Sequence, residues 1–333
     1  MSSHPITAFL AGETAARTPF MPILMRFCAQ YTKTPYRDFI LDPEAHCRSN
    51  IECARAFGSD WVNVMSDPYG ELEAYGAHIE YPENSLPLDK VILFDTLESL
   101  AKLESIDFVG NRRIQGRLRE LEIFRRELGD STAICGWVEG PLAEYCDLRS
   151  MGNAFLDLYD DPATVKKTLQ TLYRNAERFI TLQVEAGANM IGIGDAACSQ
   201  LGEELYREFA WELECRLVEH IHRLGALAKL HICGNTSAIL PGMIATGADI
   251  IDVDHLVSSM TAFAPLLRKH QALCGNLDPV SVVQNGDPAT IERLGRELLG
   301  ALPGKLILSA GCEVTPGTAA ANLHALSRAC TKA

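Results

Sequence analysis

A chain of 333 residues with 47% hydrophobic side chains, 7% aromatics and 43 acidic against 30 basic residues, net charge −13, is acidic and core-forming, which excludes a disordered or fibrous protein. The same charge repels phosphate backbones, and no Lys/Arg cluster interleaved with aromatics offsets it, so no nucleic-acid partner is expected. Eleven cysteines, an odd number behind an opening Met1-Ser2-Ser3-His4-Pro5 that lacks a signal-peptide pattern, and no uninterrupted run of eighteen apolar residues, predict reduced thiols in a cytoplasmic protein with no membrane span.

Residues 1–58 carry helical and loop elements expected to cover a larger body. The β-branched runs Asp60 to Met65 and Ala133 to Val138 predict strands, and a further strand is expected between 70 and 110. Ala143 to Gly152 is expected to be a loop folding over the site as a lid. Asp161-Pro162 then opens a helix with a cap and a first-turn proline, Val165, Leu169, Leu172, Ala176, Phe179 and Ile180 recur at helical spacing, and Gly187 ends it. The strand Met190 to Gly194 follows and ends at Asp195. A second striped helix (Leu205, Phe209, Leu213, Leu217, Ile221, Leu224) stops at Gly225 before the strand Leu227 to Cys233. Further strands at 249–253, 272–275 and 306–310 alternate with helices around 236–246, 259–270 and 288–301.

Short units with one helix each predict a parallel sheet, and seven visible strands with an eighth to be found predict closure into a (β/α)₈ TIM barrel. No Pro-, Gly- or Ser-rich linker divides the chain, so one domain over 1–333 is expected. In such a barrel the C-terminal strand ends converge on one mouth, where active sites sit. The residues there are polar in chain order: Asp67, Glu139, Asp195, His231 with Cys233, Asp252 with Asp254, Asn276 with Asp278, and Cys312 with Glu313. Helix caps account for some of these Asp and Asn residues.

His231-Ile232-Cys233 ends a strand, so period-two alternation puts His231 and Cys233 on one face and Ile232 on the other. Cys312, 79 positions later, ends the last strand at the same mouth. One imidazole and two thiolates on rigid strands suit Zn²⁺, and three protein ligands leave the open position of a catalytic site. The competing account is that both cysteines pack as small apolar side chains and His231 satisfies a core hydrogen bond. Cys28, Cys47, Cys53, Cys146, Cys215 and Cys330 fall on helices or loops, and Cys135 precedes its strand end, so packing is expected for them. Cys198 and Cys274 lie close enough to strand ends to be reserve candidates.

Several segments together resemble the uroporphyrinogen decarboxylase superfamily over nearly the whole chain: Pro22 to Arg26, Ser66-Asp67, Gly136-Trp137-Val138-Glu139-Gly140-Pro141, Gly194-Asp195, His231-Ile232-Cys233-Gly234-Asn235, Gly275-Asn276-Leu277-Asp278-Pro279 and Gly311-Cys312-Glu313-Val314-Thr315-Pro316. The resemblance implies a (β/α)₈ barrel. The decarboxylases of that superfamily are metal-free, carry M-R-Q-A-G-R near the N-terminus and place a histidine in the last-strand motif. Here Met25-Arg26 is followed by Phe27-Cys28-Ala29-Gln30, which puts Gln30 at the second arginine position, and Cys312 stands where the histidine would be. A polycarboxylate substrate would lack one of its clamps. The other branch, zinc-dependent methyltransferases acting with a corrinoid protein, has a His-x-Cys motif and a distant Cys, matched here by His231, Cys233 and Cys312.

That resemblance implies Zn²⁺, a corrinoid (cobalamin) methyl carrier and a small-molecule methyl donor or acceptor such as a thiol or a methyl ether. No D-x-H-x-x-G segment is present, so the corrinoid is expected on a separate partner protein. Glu139, Asp195 and Glu313 compete as a fourth ligand or supporting carboxylate, with Glu139 preferred; Asp67, Asp195, Asp254, Asn276, Asp278 and Glu313 are candidates for orienting substrate or for catalysis. The alternatives are a decarboxylase or a non-catalytic corrinoid-binding barrel.

Overall fold

The computed structural model describes residues 4–13, 17–103 and 105–331. Strand β1 is Trp61–Asn63; the short β2 (Ile79–Glu80) and β3 (Leu88–Asp89) follow; then come β4 (Ala133–Glu139), β5 (Met190–Gly194), β6 (Leu227–Ile232), β7 (Ile250–Val253), β8 (Ala272–Leu277) and β9 (Leu306–Ala310). Seven of them form one curled parallel sheet in the order β1-β4-β5-β6-β7-β8-β9. The seven strands read from the sequence are all present. Among the described residues the eighth is not between 70 and 110, where β2 and β3 pair antiparallel outside that sheet.

The gap between β9 and β1 is filled instead by extended chain from the N-terminal segment. Leu308 N–H donates to Pro19 O at 3.2 Å and Met21 N–H to Leu308 O at 3.1 Å on one side; Asp60 N–H donates to Phe20 O at 2.9 Å and the Trp61 indole to Pro22 O at 2.9 Å on the other. Pro19 and Pro22 have no N–H to give a ladder, so the stretch bonds to both edges without making a regular strand. Part of the expected N-terminal cover is therefore barrel wall.

Capping and burial explain the helices. Asp161 accepts from Thr164 N–H at 3.0 Å at the start of the Pro162–Glu185 helix, whose buried stripe includes Val165, Leu169, Leu172, Phe179 and Ile180. The Glu212–Arg223 helix buries Leu213, Leu217 and Ile221, each such side chain contributing about 1.5 to 3 kcal/mol. Two expectations fail. Residues 259–270 form two 3₁₀ turns, Met260–Ala262 and Ala264–Leu266, because Pro265 lacks a donor and biases Ala264 away from helix. Residues 143–152 are not a loop: apart from Ser150 they belong to helices Pro141–Arg149 and Met151–Asp160, the first of which buries Leu142, Tyr145 and Leu148. Arg149 clamps that hairpin through Asp157 at 2.7 and 3.0 Å, and Pro141 in the first turn was the signal for it. No helix among the described residues is long and apolar enough to cross a membrane.

Candidate metal centre at the barrel mouth

Strand β6 presents Lys229 and His231 on the face opposite Leu230 and Ile232, and Cys233 follows its last residue. Its neighbours are in register: Glu139 of β4 lies opposite Gly194 of β5, Gly194 opposite His231, and His231 opposite Asp252 of β7. One level of the wall therefore carries a carboxylate, a gap, an imidazole and a second carboxylate. The gap is required, because β-carbons at Gly192 and Gly194 would run into the Trp137 indole. Cys312 is delivered by the turn after β9, where Gly311 passes so close to the backbone of His255 that no side chain fits.

His231, Cys233 and Cys312 converge with donor atoms all within 4.8 Å of one another. His231 Nε2 is 2.9 Å from Cys233 Sγ, and the two sulfurs are 3.4 Å apart. Tetrahedral zinc with bonds of about 2.0 to 2.3 Å separates such donors by roughly 3.5 to 3.8 Å, so the trio sits slightly tighter than a zinc site and needs little opening to become one. His231 is 5% exposed, and both cysteines are half-buried.

Asp252 stands behind the imidazole, its Oδ2 3.0 Å from His231 Nδ1 but out of line for a well-formed hydrogen bond. The same oxygen pairs with the fully buried Lys229 ammonium. A carboxylate on Nδ1 turns Nε2 toward the sulfurs, as metal-binding histidines are oriented. By themselves the three donors share charge. Burial opposes a charge on His231, but Asp252 outweighs it and holds the imidazole up at about 9. Cys312 is held down at about 4, first by its contact with Cys233 and then by His231, while Cys233 is pushed up by the sulfur beside it and by burial. A divalent cation at this point would supply the charge needed to hold both sulfurs as thiolates.

The sequence profile of the family described as "Uroporphyrinogen decarboxylase (URO-D)" matches residues 1–333. The chain belongs to the URO-D family. It is 30% identical over 295 residues to a "Methylcobamide:CoM methyltransferase MtbA" of Methanosarcina mazei, covering 85% of this chain and 84% of that protein. It is 25% identical over 337 residues to a "Uroporphyrinogen decarboxylase" of Agrobacterium fabrum, covering 95% and 94%. A solved structure described as "methyltransferase from Methanosarcina mazei" superposes with a TM-score of 0.89 over 98% of this chain and 96% of that one at 21% identity, which establishes the shared fold.

Within this URO-D barrel the other sequence candidates are mostly committed to local structure. Asp254 accepts from Gly234 N–H and Leu256 N–H, both at 3.0 Å, and so fixes the turn that follows Cys233. Asn276 donates to Asp254 O at 3.2 Å and Val257 O at 2.8 Å, and Asp278 caps the turn after β8 through Val280 and Ser281 N–H. Glu313 accepts from Arg26 N–H at 2.8 Å, with burial pushing its carboxyl up to about 7. Asp67 pairs with Arg113 in a buried network that also includes Arg117 and Glu71; burial opposes its charge, but Arg113 and Arg117 hold its pKa below the usual value.

Asp195 accepts from Ala143 N–H at 2.8 Å and groups with Cys198 and Glu214 in the core. Glu139 takes the Trp137 indole N–H at 3.0 Å and is not drawn into the donor trio. The cysteines for which packing is expected are buried except the half-buried Cys215, and the reserve candidates Cys198 and Cys274 are buried and outside the donor trio. Sequence reasoning missed Lys229, Glu71 and Glu144. A lysine two residues before His231 in an otherwise apolar strand was the available signal for the first; the two acids sit on helices whose meeting no local pattern reports.

Proposed function

We propose that this chain is a zinc-dependent methyltransferase that moves a methyl group between a corrinoid carried on a separate protein and a small donor or acceptor, such as a thiol or a methyl ether. The convergence of His231 Nε2, Cys233 Sγ and Cys312 Sγ within 4.8 Å carries the reading, and the name of the Methanosarcina mazei relative supports it. His231, Cys233 and Cys312 would hold zinc and leave one position open. Zinc there would supply a charge that the two cysteinates balance, which lowers the pKa of a bound thiol and leaves its sulfur electron-rich. Asp252 fixes the imidazole tautomer, Lys229 keeps Asp252 ionised, and Asp254 holds the backbone beside Cys233.

The test is metal content and turnover of the anaerobically purified protein. About one zinc per chain is expected, with demethylation of methylcobalamin followed spectroscopically against thiols, tetrahydrofolate and aryl methyl ethers. Absence of zinc defeats the reading. Release of CO₂ from uroporphyrinogen without zinc would favour the decarboxylase instead.

A further inference from the structure

Every methyl transfer of this kind moves one proton as well as one methyl group. When a thiol R–S–H accepts the methyl of a methylcorrinoid, the S–C bond forms, the carbon–cobalt bond breaks with its electron pair left on cobalt, and the thiol proton must go to a base. When an ether R–O–CH₃ donates to the reduced corrinoid, the cobalt pair forms the new bond, the C–O pair stays on oxygen, and that oxygen must receive a proton. Most acids around the mouth are tied to backbone N–H groups or to an arginine, as Asp254, Asp278, Glu313 and Asp67 are.

Glu139 differs. Its Oε1 takes the Trp137 indole, while Oε2 reaches over Gly194, 3.2 Å from where a β-carbon there would stand. Gly194 is the residue between Glu139 and His231 in the register of the wall. A carboxylate oxygen thus leans across the gap toward the strand that carries the metal donors.

Behind Glu139 lies a narrow cavity of about 10 Å³, room for about one water, lined among others by Glu71, Tyr75, Glu139, Glu144 and Asn175. Glu144 is 3% exposed and neither of its carboxyl oxygens has a partner among the described residues. Glu71 braces this corner, one oxygen accepting from Glu139 N–H at 3.3 Å and the other from Arg117 at 2.9 Å.

Resting on the methyl-transfer reading, we propose that Glu139 is the catalytic acid–base that exchanges this proton with the substrate heteroatom, and that Glu144 forms the store behind it. The charged groups facing Glu139 agree: burial comes first, Glu71 and Asp147 add to it, and Arg117 only partly offsets them, so its carboxyl stands well above the usual range. Glu144 is raised in the same way by burial, Glu71, Asp147 and Glu139.

The experiment uses the zinc-loaded full chain with methylcobalamin and 2-mercaptoethanol. In Glu139→Gln, zinc per chain should stay at the wild-type level, the rate should fall about 10²-fold or more, and the dependence of rate on pH should flatten; Glu139→Asp should recover part of both. Infrared spectra should show protonated-carboxyl bands near neutral pH that disappear one each in Glu139→Gln and Glu144→Gln. Loss of zinc together with rate in Glu139→Gln would overturn the proposal and make the residue a ligand, as would an unchanged rate and pH profile. A zinc-bearing wild type that moves no methyl group with thiols, tetrahydrofolate or aryl methyl ethers overturns the transfer reading and with it the catalytic role, while the infrared bands still report the buried acids.

Discussion

On the β6–β7 wall the buried acid has bases: Asp252 is shared by Lys229 and His231, and together they hold it well below the usual carboxylate range, although burial alone would raise it. On the β1–β4 side, Glu71, paired with Arg117, lies near Glu139, Glu144 and Asp147, and burial pushes these three up, Asp147 to about 7. The first arrangement fixes charge, which suits side chains that must keep one orientation around a cation. The second leaves charge unsettled, which suits groups that gain and lose protons. The two regions approach each other across β5, where Gly194 separates Glu139 from His231.

The largest effect should come from breaking the donor trio. Cys233→Ser or Cys312→Ser is expected to lower zinc from about one per chain to near zero and abolish methyl transfer, since a serine hydroxyl is a far poorer zinc ligand than thiolate. Elemental analysis after gel filtration reads this directly; retained zinc in both variants would place the metal elsewhere. Next is the fixed charge itself. Lys229→Met leaves Asp252 buried with the imidazole as its sole base, and removal of one partner from such a pair costs about 3 to 5 kcal/mol. Denaturant unfolding should show that loss, and a cost under 1 kcal/mol would mean Asp252 is not ionised. Asp252→Asn, which keeps the shape and removes the charge, should weaken zinc binding about 10- to 100-fold in competition with a chelator.

How legible these two regions were differs for a physical reason. The β6–β9 side is readable because strands alternate with period two and because His and Cys at strand ends are rare enough to mean something: His231, Cys233 and Cys312 were identifiable before any geometry. The other side depends on four helices, Gly70–Ala74, Arg112–Leu128, Pro141–Arg149 and Pro162–Glu185, coming together. Glu71 and Glu144 look like ordinary solvated helix acids until that packing buries them. The closing segment was hidden for a different reason, since Pro19 and Pro22 remove the donors that define a strand. Among the mouth candidates, residue type showed that Asp254, Asn276 and Asp278 were polar loop residues, while only the hydrogen bonds showed what each one holds.

The unsettled side also predicts a pH effect. Burial raises Glu120, on the same Arg112–Leu128 helix, to about 8 despite Arg117 and Arg113. A carboxyl raised in the folded state contributes stability below its unfolded pKa of about 4.5 and loses it as pH rises toward 8. His46, lowered to about 4 by burial, acts with the opposite sign below pH 6.5. The Glu120 share is therefore clearest between about pH 6.5 and 8, where it should cost about 1 to 2 kcal/mol. Glu120→Gln should remove that share from the pH dependence of unfolding; an unaltered slope would show that Glu120 is ionised throughout.

The smallest effect separates a structural carboxylate from one that holds substrate. Asp278 accepts from two backbone N–H groups, Val280 at 2.8 Å and Ser281 at 2.9 Å, and its second oxygen is 3.5 Å from His255 Nε2. Asp278→Ala loses the cap and should cost about 1 kcal/mol of stability. Asp278→Asn keeps an accepting oxygen while removing the charge, so it should retain most of that stability with KM for the methyl substrate unchanged. If instead the Asn variant folds as stably as wild type but raises KM several-fold, the charge itself contacts substrate. Asp278 would then join Glu139 as a working carboxylate, and the division between a fixed wall and a proton-exchanging one would no longer follow the strands.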